Sequence, residues 1–591
     1  MSGYTQEQDQ KQILGHPVGL FVLFFTEMWE RFSYYGMRAL LILFLVSKAQ
    51  DGGWEWERKE AYALYGWYVM LVYLLPMLGG WLADNKWGHV KTVIIGASII
   101  TMGHAALAIS DIPLAIDLKF VFYIGLLLLV VGTGLFKPNM SSIVGKMYPP
   151  QSEKKDGAYT IFYMGVNAGA FIGTLLVGWI GENFSWSWGF GLAGVFMFFG
   201  LLQFFFARTV FGDAAMQPKL KITGSKTEDT KAEVVWTQKD LTIAGVGGFF
   251  VLSWIIDGLY SVITRGTHLL PQGILHLNQS TSIDTSTIFF FASLLIFIVL
   301  GISRLKRFEP VERDRLKVVF LIAFFVIFFW ASFEQAGTTM TIFARDYTNR
   351  VLTGNWGMIY KVIDLIVSIS PMLVLTWVIY RLAKAIIKEY PLTILFTTIS
   401  FMIIWALVIS RVYDKLSASS ASVDTTWFQI LNPVFIILLA PLYSMFWRRY
   451  KFSAPQKFFI GLTLLGLGFG FLALGSMGIA PGAKTASVSI IWLVLAYLLH
   501  TMGELSISPV GLSYVSKLAP ARMLAFLFGV WYVFTGLANK LAGIMAEYSE
   551  GISDKIGISG FFLIFTLIPI CAGLVMLSLN KPVKRMMHGV E

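Results

Sequence analysis

Sixteen apolar stretches, each about 20 residues or longer, follow one another along this chain. About 20 apolar residues of helix cross the hydrocarbon core of a bilayer. Inside that core no water satisfies the backbone, so each segment must close its own hydrogen bonds. The stretches fall at 17–48, 59–83, 91–110, 118–145, 157–181, 187–207, 240–262, 285–303, 318–343, 357–380, 391–412, 427–447, 457–479, 487–514, 521–546 and 558–580. Composition agrees. Of 591 residues, 56% are hydrophobic and only 14% charged, too little charge to cover a soluble surface. The expected fold class is an all-α membrane protein of about 16 transmembrane helices.

The formal net charge of +11 would suggest nucleic acid in a soluble protein, but its placement gives another reading. Every second connection is basic: Lys86 and Lys91; Lys146, Lys154 and Lys155; Lys219 to Lys239; Arg304 to Lys317; Arg381, Lys384 and Lys388; Arg448, Arg449 and Lys451; Lys517 and Arg522; Lys581, Lys584 and Arg585. Lys and Arg gather on the cytoplasmic side of membrane proteins, so both termini are expected there and no nucleic-acid partner is needed. The polar segment Met1 to His16 has no leader pattern, and the first apolar helix is expected to serve as the insertion signal. A bacterial-type inner (plasma) membrane is the expected location. Cys571 stands alone and the seven His are scattered, so neither an internal disulfide nor a metal site is expected.

Six spans precede the longest polar stretch, Gly212 to Lys239, which reads as a linker. Two pairs of spans, 240–303 and 357–412, carry little intramembrane charge beyond Asp257 and Asp364. Setting them aside leaves six plus six, with ionisable residues on the first and fourth span of each half, as expected of two related bundles around a central path. The resulting division is 1–211 for the N-terminal bundle and 212–315 for linkers and the first inserted pair. Next come 316–356 for the first helix of the C-terminal bundle, 357–415 for the second inserted pair and 416–591 for the remainder.

The charges inside the spans carry the functional signal. Glu27, Glu30, Arg31, Tyr34, Tyr35 and Arg38 fall within roughly 140° of the first helix, one polar stripe. A charge at the bilayer centre costs about 2.5–3.5 kcal/mol, so four unpaired ones would cost on the order of 10 kcal/mol. They must face protein or water, and Glu27 and Arg31, four apart, can pair directly. Lys137, Glu334 and Glu504 sit at core depth in three further spans. Four acids then face three cations, leaving one carboxylate free to take a proton or a substrate ammonium. As mere packing devices these ions would be poor, because buried pairs rarely gain over apolar packing. Tyr34, Tyr35, Tyr73, Trp330 and Trp531 offer flat walls with polar tips for varied side chains, although single aromatics in spans are more often packing. His104 and His500 are candidate proton relays against a commoner role as hydrogen-bonded core residues. The turn from Gly79 to Lys91 reads either as an ordinary charged turn or as a gating element.

Four motifs together identify the chain as resembling the proton-dependent oligopeptide transporters of the major facilitator superfamily, over its whole length except the inserted pairs. They are ExxER at Glu27 to Arg31, FYxxxNxG at Phe162 to Gly169, QxLNP at Gln429 to Pro433, and GELxxSPVG around Gly503 to Gly511. The resemblance implies a proton-coupled symporter of di- and tripeptides working by alternating access between two six-helix bundles. Glu27, Glu30 and Arg31 would form the proton-linked cluster. Arg38 and Glu334 would form a gate broken by protonation. Arg31 and Lys137, with Tyr34 and Tyr73, would hold the peptide carboxylate, and Glu504 its amine, helped by Asn167 and Asn432; Tyr35 and Ser508 would also belong to the substrate-binding site. Trp330 and Trp531 would line side-chain pockets, while Gly80, Asp84, Gly88 and Lys91 would belong to the cytoplasmic gating motif. It implies no cofactor beyond protons as the coupling ion, lipid and peptide as partners, and a monomer, with a homo-oligomer left open. Animal relatives place a His on the second helix where Gly66 stands here, so coupling would run on carboxylates.

Two rival readings frame this one. The nearest is a proton-coupled carrier of another small solute (nitrate, an amino acid or a peptide-like compound), which the intact ExxER disfavours. A membrane-embedded enzyme would need HExxH, a G-x-S-x-G elbow or a close nucleophile–base group, and the spans contain none of these.

Overall fold

The computed structural model describes residues 11–110, 118–148, 152–212, 236–278, 281–520 and 523–590. Most of the polar linker expected at 212–239, Arg522 of one basic connection and residues 1–10 lie outside them.

Sixteen long helices take the places of the sixteen apolar stretches. The first six are α1 (Val18–Val46), α2 (Arg58–Leu74, continuing as Pro76–Leu82), α3 (His89–Ser110), α4 (Lys119–Lys146), α5 (Lys154–Asn183) and α6 (Trp186–Ala207). A hairpin follows, α7 (Gln238–Ile263) and α8 (Thr285–Leu305). Then come α9 (Pro310–Phe333), the pair α10 (Gly354–Ile386) and α11 (Pro391–Ser417), and α12 (Leu431–Arg449). The chain finishes with α13 (Ala454–Gly475), α14 (Ile491–Leu518), α15 (Leu524–Glu547), α16 (Ser549–Ser578) and the short α17 (Asn580–Met586). Fifteen of the sixteen are long and apolar enough to cross a membrane. The exception is α1, whose stripe of Glu27, Glu30, Arg31 and Arg38 interrupts the apolar run, yet nearly all its residues are buried. Its neighbours shield that charge from lipid.

Packing follows the six-plus-six division. α1 lies against α5 and α6, and α3 against α4 and α6; in the other half α13 packs on α14 and α16, and α9 on α15. The halves meet along two seams, α2 against α15 and α5 against α12 with the turn before it. The second helix of each half therefore faces the fifth of the other, as an approximate two-fold relation requires. Glycine makes the first seam tight. A Cβ on Gly66 would stand 3.0 Å from the Gly543 Cα, and one on Gly543 would stand 2.7 Å from the Gly66 Cα.

The inserted pairs sit outside this core and touch the N-terminal half. α7 packs on α2, with Trp254 tilted against Trp67 at 4.7 Å. At the foot of that hairpin Asp240 accepts from Arg304 at 3.1 Å and from Arg307 at 2.6 Å. The second pair falls between α9 and α12 in sequence, yet α11 docks on α6 and, through Phe401, on α1. There Phe396 stacks on Phe206 and Phe401 meets Phe25 and Trp29 edge-on. This pair is less quiet than its sequence suggests. Arg411 forms a buried bidentate pair with Asp364 at 2.7 and 2.9 Å, and Trp427 donates to the same carboxylate at 3.0 Å.

Two helices depart from the continuous spans expected. α9 stops at Phe333, and Glu334–Gly337 form a 3₁₀ turn before Thr339–Asp346 resume the helix. Gly337 lies against the Tyr65 hydroxyl with no room for a Cβ, so the break brings α9 up to α2. In α16, Gly557 at φ +74° separates a short entry segment from the span proper. That break explains why the apolar run starts only at 558.

Candidate functional site

The polar stripe of α1 is where the site is built. Arg31 donates through Nε to Glu27 Oε1 at 2.8 Å and lies 3.2 Å from Glu30 Oε2. All three groups are buried, so one guanidinium serves two carboxylates. Two turns further on, Arg38 donates to the Tyr65 hydroxyl at 2.6 Å and pairs with Glu334. Tyr35 and Tyr65 present ring faces to the Arg38 guanidinium at 5.9 and 5.7 Å. Charge-assisted bonds of this kind are about twice as strong as neutral ones. Arg38 and Glu334 thus bolt the first helix of one half to the first helix of the other.

Lys137 is held differently. It sits one residue before Pro138 in α4, and its ammonium lies 4.3 Å from the centre of the Tyr73 ring. It makes no ion pair among the described residues. Across the seam, in α14, Glu504 accepts from Asn432 Nδ2 at 2.8 Å, and that amide also donates to Thr501 at 3.1 Å. Asn432 heads α12, so the QxLNP and GELxxSPVG motifs meet in one hydrogen-bonded group. Asn167 of FYxxxNxG spends its amide N–H on the Tyr163 carbonyl of its own helix at 3.0 Å. Tyr163 is 53% exposed, and the charges of Glu504 and Arg31 both act on it. It therefore lines a crevice between a cation, Arg31, on one half and a carboxylate, Glu504, on the other.

Among the remaining site candidates, Tyr34 and Tyr35 pack edge to face at 5.1 Å, and the Tyr34 hydroxyl has no hydrogen-bond partner among the described residues. The Ser508 hydroxyl is likewise buried, with no hydrogen-bond partner among the described residues. Trp330 stands edge-on to Phe329 and Phe333. Trp531 covers Gly511, where any side chain would strike its ring.

The turn after α2 is more than a charged loop. Ala83–Trp87 form a π-helical turn closed by Gly88 at φ +77°, a conformation that favours glycine. Asp84 reaches His89 at 3.5 Å, and His89 meets Asn139 at 2.7 Å. Asn139 in turn donates to the Gly79 carbonyl at 3.3 Å. The turn is thereby tied to α4 two residues from Lys137. Gly80 faces Pro138, and Lys91 is exposed.

Contacts that join the halves gather at the face away from the chain termini. Besides Arg38 with Glu334, Arg58 pairs with Asp346 at 2.8 Å and with Glu550 at 3.3 Å. Glu182 at the end of α5 accepts from the Thr425 and Thr426 backbone at 2.8 and 2.7 Å. That face is closed.

The sequence reading overlooked Tyr65, although Tyr62, Tyr65 and Tyr68 recur every third residue on one face of α2, a spacing that marks a polar-tipped ridge. It also overlooked Lys540 in α15, which lies 4.4 Å from the Trp67 ring centre and 3.7 Å from Glu547. Arg411 was missed as well. Each of these cations brings its own carboxylate, Glu547 or Asp364, so the surplus of one acid over cations is unchanged.

Two six-helix bundles that close at one face around a crevice with oppositely charged walls define a solute transporter. The chain belongs to the POT family, whose model matches residues 90–386 and 381–562. It is a membrane transporter and not an enzyme. It is 30% identical over 596 residues to the peptide transporter YePEPT of Yersinia enterocolitica, covering 100% of this chain and 99% of that one. It is 28% identical over 595 residues to a di-/tripeptide transporter of Lactococcus lactis subsp. cremoris, covering 98% and 99%. Among solved structures it resembles a peptide transporter POT variant in complex with alafosfalin, at a TM-score of 0.69 and 29% identity, covering 99% and 98%.

Proposed function

We propose that this protein is a proton-coupled symporter that imports di- and tripeptides by alternating access, with both termini in the cytoplasm. The observation that carries the reading is the separation of charge across the crevice. Arg31 and Lys137 stand on the N-terminal half, while Glu504 with Asn432 stands on the C-terminal half. A zwitterion with its carboxylate toward the first and its ammonium toward the second is held by both halves at once, whatever its side chains. The names of the Yersinia and Lactococcus relatives point the same way, as does the alafosfalin bound to the structural neighbour.

In this scheme Glu334 takes a proton from outside and releases Arg38, and the closed face opens. A peptide then enters and competes for Arg31, Lys137 and Glu504. A ligand shifts a conformational equilibrium only through contacts that differ between the states, and here those contacts are the exchanged ion pairs. Lower proton activity inside releases proton and peptide together.

The test is uptake of labelled dialanine into proteoliposomes with an inward proton gradient and with that gradient collapsed by an ionophore. Accumulation that needs the gradient, and that other dipeptides compete, is expected. No dialanine uptake by folded protein would overturn the substrate assignment and favour another solute.

A further inference from the structure

At the face that carries the chain termini, the C-terminal half presents cations that no carboxylate answers. α12 ends in Arg448 and Arg449, Lys451 stands in the short turn that follows, and Lys457 lies in the first turn of α13. Aromatic rings brace the turn: Phe446 meets Trp447 edge-on at 4.9 Å and stacks on Phe452 at 5.9 Å. Ser453 donates to the Asn580 side chain at 2.7 Å, tying the turn to α17. That helix buries Val583 and exposes Lys581, Lys584 and Arg585. None of these cations makes an ion pair among the described residues.

Elsewhere on the same face cations are matched: Arg304 and Arg307 share Asp240, Lys11 meets Glu389 and Lys317 meets Asp314. Lys457 instead lies 5.1 Å from the Trp447 ring centre, and the like charge of Lys517 acts on it. Basic residues gather on the cytoplasmic side for topological reasons, but topology does not require a surface of one sign alone. The outer face of α12 adds a second constraint. Leu438, Leu442, Met445 and Arg449 fall within roughly 60° of helix circumference, one stripe. Its three apolar members are 58% to 61% exposed. Tyr450 stands beside the Arg449 guanidinium, its ring centre 5.8 Å away. An apolar track that ends in cations beside aromatic rings matches an acyl chain that ends in a phosphate.

We propose that this surface binds anionic phospholipid, with the headgroup phosphate at Arg448, Arg449, Lys451 and Lys457 and an acyl chain along the α12 stripe. Lys581, Lys584 and Arg585 of α17 extend the same positive field. The leaflet is the cytoplasmic one, which rests on the orientation proposed above; the binding itself does not. Each arginine can fork two N–H groups onto phosphate oxygens, and each lysine adds a point charge. An anion beside Lys457 also offsets the repulsion from Lys517. A soluble phosphate would use the cations and leave the stripe bare, so the stripe decides in favour of lipid.

Native mass spectrometry of the full chain, released from micelles with equimolar phosphatidylglycerol and phosphatidylethanolamine, counts each lipid retained. The native protein should keep phosphatidylglycerol over phosphatidylethanolamine by about fivefold or more. Arg448→Gln, Arg449→Gln, Lys451→Gln and Lys457→Gln together should lower that ratio by about threefold or more. Lys384→Gln with Lys388→Gln, cations of the same face at the end of α10, should leave it unchanged. A second measurement needs no variant: raising ammonium acetate from about 0.1 to 1 M shortens the screening length from about 10 to 3 Å and should lower the native ratio. Millimolar sn-glycerol 3-phosphate should not displace the lipid. No preference in the native protein overturns the proposal, as does a preference that the quadruple variant keeps or that survives high salt. Equal loss in the Lys384 and Lys388 variant overturns it too, and displacement by glycerol phosphate would assign the cations to a soluble anion instead. None of these readouts involves dialanine or a proton gradient, so this proposal and the transport reading fail separately.

Discussion

Arg31 and Lys137 are the two cations of the crevice, and they are satisfied unequally. Arg31 is held by Glu27 and Glu30, whereas among the described residues Lys137 has only the Tyr73 ring, a contact worth about 0.5–2 kcal/mol. The ammonium that gives up least on binding a carboxylate is therefore that of Lys137. Lys137→Ala should weaken apparent peptide affinity by about ten- to a hundredfold, the value of one hydrogen bond between charged groups at about 1.5–3 kcal/mol. Inhibition of labelled dialanine uptake by unlabelled peptide measures it, and an unchanged midpoint removes Lys137 from the site. At this scale the sequence was informative where charges clustered on α1 or stood deep in a span, as at Lys137, Glu334 and Glu504, because the bilayer makes such residues costly and therefore conspicuous. Arg411 and Lys540, nearer the ends of their apolar runs, were passed over. Tyr65, which bonds Arg38, and Asn139, which anchors the turn after α2, escaped notice. A neutral polar side chain in a span carries no such cost signal, and its partner stands on another helix.

Among the elements, the pair α10 and α11 shows where reading by length and hydropathy stops. Both helices were visible as apolar runs, but their docking on α6 and α1 was not, since it depends on Phe396 and Phe401 meeting aromatic rings far away in sequence. The pair is also clamped at the closed face. Arg411 and Lys415 approach Asp424 at 3.8 and 2.7 Å, and Asn183 of α5 donates to the same residue at 3.2 Å. The turn leading into α12 is thus fixed to α5 through a buried polar network. Removing one member of a buried ion pair costs about 3–5 kcal/mol, whereas replacing both is often near neutral. Arg411→Met should accordingly lower the thermal midpoint in detergent sharply. Asp364→Asn combined with Arg411→Met should recover most of the loss, because asparagine still accepts from Trp427. Equal midpoints for the single variant and the native protein would show that the pair does not hold the element in place. The break of α9 at Glu334 was hidden for a related reason. The 3₁₀ turn is set by the approach of Gly337 to Tyr65, and the α9 sequence itself reads as a continuous helix.

For the whole molecule, the six-plus-six division was legible because charged spans recur at matching positions. Which helices form the seams was not, because close approach through Gly66 and Gly543 leaves no mark in hydropathy. Those seams constrain the motion. In the proposed cycle α2 with α15 and α5 with α12 stay packed as pivots, and access alternates by opening one end of the crevice and closing the other. Arg58 of α2 and Asp346, just beyond α9, pair across the closed end at 2.8 Å, outside the substrate site. Cys571 is the sole cysteine and is exposed, so a Cys571→Ser background provides clean labelling. In that background, Arg58→Cys with Asp346→Cys should transport until a short, reducible bifunctional thiol reagent links the two positions. Both gradient-driven uptake and counterflow exchange should then stop and return on reduction, because each requires this face to open. Exchange that continues at the unmodified rate in fully linked protein would mean that the peptide takes another route. The rocking of one bundle against the other, and with it the gate role of Arg38 and Glu334, would then have to be abandoned.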